Sequence, residues 1–291
     1  MNAPAKFEIT GTSDVSDVQI DAGTARLVGK IHRPDGTPRA AVVLNGATGV
    51  PQGYYQGFAQ WLAETQNLAC LTYDYRDFGL SATGPIRQSK ATMVDWGVHD
   101  QQAALKVLGD TFPDTPLWVV GHSIGGLMLP FQDGADRVER MITVASGPVH
   151  IKDHPWDYVP SVLAFWYGAG PIATKVLGYL PGKILGLGAD IPSGVYWQWR
   201  RWCTTPGFNR NDIGRALPHP NPPAMRGEMK VVSVSDDAMV PPSAVWRLMG
   251  LYPEAKKRQL TLRPDAFGLK KIGHIGAFAR RNAAVWPAII A

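Results

Sequence analysis

One serine has neighbours suited to nucleophilic chemistry. Ser123 stands in Gly121-His122-Ser123-Ile124-Gly125-Gly126, directly after the apolar run Leu117-Trp118-Val119-Val120. A buried strand that enters a sharp turn needs this order. The middle residue of such a turn takes a strained backbone conformation and points its side chain away from the sheet. Gly121 and Gly125 let the incoming and outgoing segments pass closely. Residues 124–131 are expected to form a helix behind the turn. Ser123 would then sit at a helix N-terminus, with backbone N–H groups and the positive dipole end facing any developing negative charge. A serine that attacks an acyl carbonyl needs that setting. The same motif also occurs as an ordinary flexible turn. The strand before it and the acid and histidine candidates downstream favour the catalytic reading.

The elements that must position this turn follow from hydrophobic patterning. Apolar runs at 40–44, 68–73, 116–120, 138–145, 229–235 and 258–262 read as strands, and 54–65, 90–108 and 243–251 have helical character. Apolar runs without polar alternation are expected of strands buried on both faces. Strands alternating with helices at this spacing predict an α/β fold with a mostly parallel central sheet and helices on both faces. Residues 15–20 and 25–32 flank Asp21-Ala22-Gly23-Thr24 and read as a hairpin, while residues 1–14 read as part loose arm, part edge strand. The loops beginning at Asn45, Asp74 and Asp236, and the stretch Ile272-Gly273-His274-Ile275-Gly276 before a terminal helix, are then expected to gather near Ser123.

The alternation breaks at Gly147-Pro148. From there to about Pro223 the chain is rich in aromatic residues, proline and glycine. We read 149–223 as a helical cap or lid inserted into a core made of 1–148 and 224–291. Any single aromatic here can pack only against its neighbours and the sheet. As a group they are expected to line an apolar pocket, with Trp166, Trp197 and Trp199 as substrate-binding candidates.

Composition bounds the answer. With 291 residues, 45% hydrophobic and 18% charged, the chain can bury a large core and is not disordered as a whole. The net charge of +5 is scattered, and Lys256-Lys257-Arg258, Lys270-Lys271 and Arg280-Arg281 read as solvated faces, so no nucleic-acid partner is expected. Two cysteines, Cys70 and Cys203, make neither a disulfide framework nor a zinc site. His150 and His154 have a metal-like spacing, but Pro148 and Pro155 disfavour a regular helix and no third ligand is apparent. They are assigned a surface role, and no metal or cofactor is expected. Residues 1–10 lack a signal-peptide core, and no apolar run reaches the about 18 residues of a membrane span. A cytoplasmic protein acting on a small molecule is the expectation. Nothing in the sequence speaks to oligomeric state.

Four pieces in order resemble the serine α/β-hydrolase superfamily: the Asn45-Gly46 loop, Asp74-Tyr75-Arg76-Asp77-Phe78-Gly79-Leu80-Ser81, the Ser123 turn, and Asp237 followed by His274. The resemblance covers about 25–146 and 225–291, and the Asn-Gly-Ala-Thr-Gly-Val-Pro-Gln loop is similar to that of uncharacterised bacterial members. It implies an α/β-hydrolase fold and a triad in the order serine, acid, histidine, met by Ser123, Asp237 and His274. His274 would take the Ser123 proton and return it to the leaving group, while Asp237 orients the imidazole and stabilises its positive form. Asp237 is preferred to Asp236 because it begins Asp-x-x-Val-Pro, with Asp153 as the fallback. His274 is preferred to His122, whose side chain must point elsewhere on the turn, and to His99 within a helix. His32 and His219 read as loop residues near prolines. The oxyanion hole is expected from the backbone N–H groups of Ile124 and Ala47. Two positions depart from the family pattern: Asn45 stands for His, and Asp77 stands for Gly. Pairing of Asp77 with Arg76 or another arginine is one reading of the second.

The resemblance implies a serine hydrolase acting on a carboxylic ester, thioester or amide with an apolar part, a small ester being favoured. A serine at the turn argues against chemistries that use an aspartate or cysteine nucleophile there. Acyl transfer with the same triad is the alternative. A ligand-binding protein without turnover is the alternative of another class.

Overall fold

The computed structural model describes residues 14–221 and 225–291. The expectations for residues 1–13, and the end of the aromatic segment at Pro223 and 224, lie outside the described residues. The strands are β1 (Asp14–Asp21), β2 (Arg26–Arg33), β3 (Ala40–Asn45), β4 (Leu68–Tyr73), β5 (Leu117–His122), β6 (Val138–Val144), β7 (Tyr179–Leu180), β8 (Ile191–Pro192), β9 (Glu228–Val234) and β10 (Lys256–Leu262). The α-helices are α1 (Gln56–Gln66), α2 (Gln101–Thr111), α3 (Val159–Leu163), α4 (Gly170–Leu177), α5 (Ser193–Thr204), α6 (Pro242–Arg247), α7 (Gly273–Gly276) and α8 (Trp286–Ile290).

Eight strands form one sheet in the order β1-β2-β4-β3-β5-β6-β9-β10. β1 and β2 are antiparallel to their neighbours, and the other pairings are parallel. The expected mostly parallel α/β sheet is therefore present. The period of two sends alternate side chains to opposite faces. In β3, Ala41 and Val43 join one apolar cluster, while Ala40, Val42 and Leu44 join the other. β9 divides in the same way, Met229 and Val231 against Val232 and Val234. α2, α6 and the 3₁₀ turn Leu248–Leu251 that follows it cover the first face with Ala104, Leu105, Leu108, Ala244, Val245 and Leu248. α1 and α8 cover the second, where Phe58, Trp61, Phe278 and Trp286 pack with ring centroids 5.0–5.7 Å apart. Burial of each such side chain contributes about 1.5–3 kcal/mol. Asn67 ends α1 at φ 50, the left-handed cap that asparagine tolerates well.

Three expectations change. Residues 124–131 form no α-helix. They make two 3₁₀ turns, Ser123–Gly126 and Leu129–Phe131. The apolar positions 124, 127, 128 and 131 have helical spacing and are buried, but Pro130 lacks the N–H that would bond back to Gly126, and two adjacent glycines add backbone entropy cost. The helix expected from residue 90 has its α-helical part at Gln101–Thr111, preceded by a wider turn at Asp95–Asp100. His32 is a strand residue, not a loop residue: it pairs with Val15 and Cys70 and is buried.

Between β6 and β9 the chain forms α3, α4, α5 and the short β7–β8 ribbon. Its buried residues, among them Val162, Trp166, Tyr196 and Trp202, belong to the same apolar cluster as the α2 and α6 face.

Candidate active site

The turn after β5 holds Ser123 at φ 55, a left-handed conformation that a non-glycine residue keeps only when its surroundings impose it. Those surroundings are tight. A Cβ on Gly121 would lie 2.4 Å from the Gly125 carbonyl oxygen, and one on Gly125 would lie 2.1 Å from the Asn45 carbonyl oxygen. No side chain fits at either position, so both glycines are required by close approach of backbone to backbone.

Ser123 Oγ lies 3.1 Å from His274 Nε2, and His274 Nδ1 lies 2.8 Å from Asp237 Oδ2. A carboxylate oxygen only accepts, so Nδ1 carries the hydrogen and Nε2 is free to accept from the serine hydroxyl. The other carboxylate oxygen of Asp237 accepts from the amides of Met239 at 2.8 Å and Val240 at 2.9 Å. The Asp237 side chain is 0% exposed and that of His274 is 8% exposed. A buried carboxylate with its oxygens engaged in this way can support an imidazolium without solvent.

Asp236 has a different task. Its two oxygens accept from the amides of Ile272 at 3.0 Å and Gly273 at 2.9 Å, which pins the approach to His274. Asp153 accepts from the His150 amide and pairs with Arg247. His150 caps the turn Ile151–Asp153. His154 is not simply a surface residue: it is half-buried, lines the cavity beside Ser123, and its Nδ1–H donates to the Ala238 carbonyl at 2.9 Å. His99 sits in the wide turn Asp95–Asp100, and His219 lies in a loop.

Asn45 at the end of β3 and Asp77 in the loop after β4 account for the two departures from the expected pattern, and the loop after β3 corrects one assignment. Asn45 accepts from the Tyr73 hydroxyl at 2.7 Å and reaches toward the Gly125 carbonyl at 3.4 Å, so it braces the serine turn. Asp77 does not pair with Arg76, which is engaged by Asp100 and Asp95. It adopts φ 57, where glycine is favoured, and accepts from Ser89 Oγ at 2.6 Å. The Ala47 amide, expected in the oxyanion hole, donates to the Tyr55 hydroxyl at 2.8 Å, and Ala47 is 2% exposed. That hydrogen bond takes it out of the cavity. The next residue, Thr48, lines the space around Ser123. Val50 N–H closes a turn onto the Ala47 carbonyl at 3.1 Å, and the amide of Thr48, the first central residue, takes no part in such a turn.

Two compartments meet at Ser123 and His274. One, about 210 Å³, is walled by Leu127, Val162, Phe165, Trp166, Trp199 and Phe208 among others. The second, about 400 Å³, is bounded by Val50, Pro51, Tyr54, Gly186, Gly188 and Ile275 among others. Trp199 borders both. Trp166 meets it edge to face at 5.0 Å. Trp197 lines neither compartment and packs against Tyr196 at 5.1 Å. Two residues along a helix is a rotation of about 200°, so Trp197 and Trp199 cannot share one side of α5.

A family model described as the alpha/beta hydrolase family matches residues 41–285. The chain belongs to that family. No curated protein matches this α/β hydrolase. Solved structures do. A thermophilic esterase from Thermogutta terrifontis is 17% identical with a TM-score of 0.53, covering 94% of this chain and 97% of its own. The enol-lactonase from Burkholderia xenovorans is 17% identical with a TM-score of 0.59, covering 94% and 98%. An α/β serine hydrolase from Xanthomonas campestris, described as having no lid, is 14% identical with a TM-score of 0.53, covering 99% and 94%. At these identities the likeness is one of fold.

Two residues of this α/β hydrolase near the serine turn, Thr48 and Tyr55, were not singled out from sequence, and a third, His154, was assigned to the surface. Tyr55 looked like one more apolar position of a helix, and only its hydroxyl's partners set it apart. Thr48 lay in a loop already expected near Ser123, so its place could have been argued from the turn it occupies.

Proposed function

We propose that this protein is a serine hydrolase that cleaves a carboxylic ester of a small, largely apolar substrate through an acyl-enzyme on Ser123. One observation carries the reading: the continuous chain from Ser123 Oγ through His274 to buried Asp237, at 3.1 and 2.8 Å. His274 Nε2 accepts the serine proton as Oγ bonds to the acyl carbon. The C–O bond to the alcohol then breaks, and the same proton passes to the departing oxygen. Water repeats the sequence and releases the acid. Asp237 keeps the imidazole in the tautomer this needs and balances its charge.

The developing oxyanion calls for two donors. Ile124, second residue of the turn Ser123–Gly126, has an amide without a partner inside that turn. Thr48 supplies the second donor in this reading, in place of Ala47. With only 3₁₀ turns behind Ser123, these local N–H groups carry the stabilisation and a long helix dipole does not. The two compartments suit a substrate with two arms, acyl on one side of the scissile bond and alcohol on the other, and among the described residues neither wall includes a lysine or arginine. Residues 149–223 act as a lid in this reading, because Trp166 and Trp199 come from that segment.

The test is turnover of a panel of activated esters, thioesters and amides, together with labelling by a serine-reactive phosphonate. Ester cleavage, one label per chain on Ser123, and loss of both in Ser123→Ala are expected. A Ser123→Ala variant with the wild-type rate would falsify the reading. Product analysis with added alcohol separates hydrolysis from acyl transfer.

A further inference from the structure

A second hydrogen-bonded chain runs behind the first, and the catalytic reading does not use it. The Ala47 amide lies 2.8 Å from Tyr55 Oη, Tyr55 Oη lies 2.8 Å from His122 Nδ1, and His122 Nε2 lies 2.9 Å from the backbone carbonyl oxygen of His274. Its direction is determined. A carbonyl oxygen only accepts, so His122 Nε2 carries a hydrogen. A neutral imidazole has only one, so Nδ1 accepts, and the single proton of Tyr55 must point there. The tyrosine oxygen then accepts from Ala47. The Tyr55 hydroxyl and the His122 ring each donate once and accept once, in the one arrangement that satisfies all of them.

The environment holds that arrangement. Ala47, Tyr55 and His122 are 2%, 1% and 0% exposed. Burial, and then the neighbouring His274, push the His122 imidazole down to about 3, and burial pushes the Tyr55 hydroxyl well above its ordinary range. Neither group changes charge near neutral pH. Phe278 packs on both rings, with centroids 5.4 Å from Tyr55 and 5.1 Å from His122.

The chain joins three separate pieces of backbone: the β3 loop that leads into Thr48, the residue just before Ser123, and the backbone of His274. The last lies in α7, only four residues long. There Asp236 holds the preceding amides of Ile272 and Gly273, and Tyr54 Oη donates to the following carbonyl of Ile275 at 2.7 Å, so the His274 carbonyl is the point that His122 fixes. We propose that Tyr55 and His122 are positioning residues, a buried clamp that sets the oxyanion loop and the His274 backbone at a fixed distance from the nucleophile. The proposal rests on the serine-hydrolase reading and adds two residues that touch no substrate.

The experiment uses Tyr55→Phe, His122→Gln and His122→Asn in the full chain, with Tyr55→Phe combined with each. A Gln at 122 offers a donor near Nε2 but no acceptor toward Tyr55. An Asn offers an acceptor near Nδ1 but no donor toward His274. On one activated ester, Tyr55→Phe should lower kcat about tenfold, as for loss of its two hydrogen bonds to His122 and the Ala47 amide, with KM within about twofold. Ser123 should still react one-to-one with the phosphonate. Tyr55→Phe should cost less in the His122→Gln background than in the wild type, because both cut the Tyr55–His122 bond and only the Ala47 bond is left to lose, and should keep its full cost with His122→Asn. Wild-type kcat in Tyr55→Phe, or its full cost in the Gln background, overturns the clamp. So does a fall in kcat matched by an equal fall in titratable Ser123, which would mean only that fewer molecules fold. A readout without turnover separates this from the hydrolase reading: the His122 imidazole should give a protected Nε2–H proton resonance in the wild type. Its absence overturns the clamp even in an active enzyme. Its presence in a protein that cleaves no ester upholds the geometry and rejects the hydrolase reading.

Discussion

Asp237 Oδ2 stands 2.8 Å from His274 Nδ1, while its neighbour Asp236 turns its carboxylate onto the amides of Ile272 and Gly273. Two adjacent acids thus serve one histidine differently, one through the ring and one through the preceding backbone. Asp237→Asn should keep the fold and lower turnover by several orders of magnitude. The amide supports the wrong tautomer and cannot balance the imidazolium, and about 10⁴-fold was lost in another triad enzyme on this substitution. Asp236→Asn keeps one acceptor and should cost far less. Steady-state rates of both variants on the same ester decide the roles. Near-wild-type turnover in Asp237→Asn removes it from the mechanism.

Gly125 is a packing requirement. A methyl group there would sit 2.1 Å from the Asn45 carbonyl oxygen, and backbone on both sides cannot move aside as a side chain would. Gly125→Ala should cost at least about 3 kcal/mol, read as a fall in the denaturant midpoint, or prevent folding. Gly53→Ala is the control. A Cβ there meets nothing within 4 Å, so its stability should be unchanged or slightly raised.

Trp199 and Trp197 separate substrate contact from packing. Trp199→Ala should raise KM for esters with bulky apolar arms by about tenfold or more, since a large ring is lost from the wall of both compartments. Trp197→Ala should leave the ratio of kcat/KM between long and short esters unchanged. Equal shifts in that ratio for the two variants would contradict the assignment.

His32 gives a pH-dependent stability. Burial, then Lys30, hold it down to about 4, against the ordinary 6.5, and neither ring nitrogen has a partner among the described residues. The unfolded chain binds the proton more tightly, so this group favours folding above pH 6.5 and the advantage is lost as pH falls from 6.5 to about 4. His32→Leu should be at least as stable as wild type at pH 7 and should lose less stability between pH 6.5 and 4. Parallel stability–pH curves for the two proteins would show that His32 does not contribute.

The α/β sheet was readable because its central strands are buried on both faces, and burial on both faces leaves uninterrupted apolar runs such as Val42-Val43-Leu44 and Val231-Val232. The turn at Ser123 was readable because glycine is the only residue that fits where Gly121 and Gly125 touch backbone. The helix expected behind Ser123 was misread for a related reason. Positions 124, 127, 128 and 131 are buried at helical spacing, but Pro130 breaks the backbone bonds that the spacing alone does not reveal.

By itself, the sequence determined the order of strands and turns, and through its resemblance to the serine α/β-hydrolases it pointed to the candidates Ser123, Asp237 and His274. Tertiary structure alone decided that Asp236 turns onto the amides of Ile272 and Gly273, that Trp199 and not Trp197 borders the cavity, and that the Ala47 amide is taken by Tyr55. Each of these is a matter of direction. A rotation of one residue in a loop, or of about 200° on a helix, carries a group from one partner to another, and the partners lie far apart along the chain. Local propensity does not encode that direction, because it is set by the packing of the β3 loop, α1 and the segment around His274 against one another.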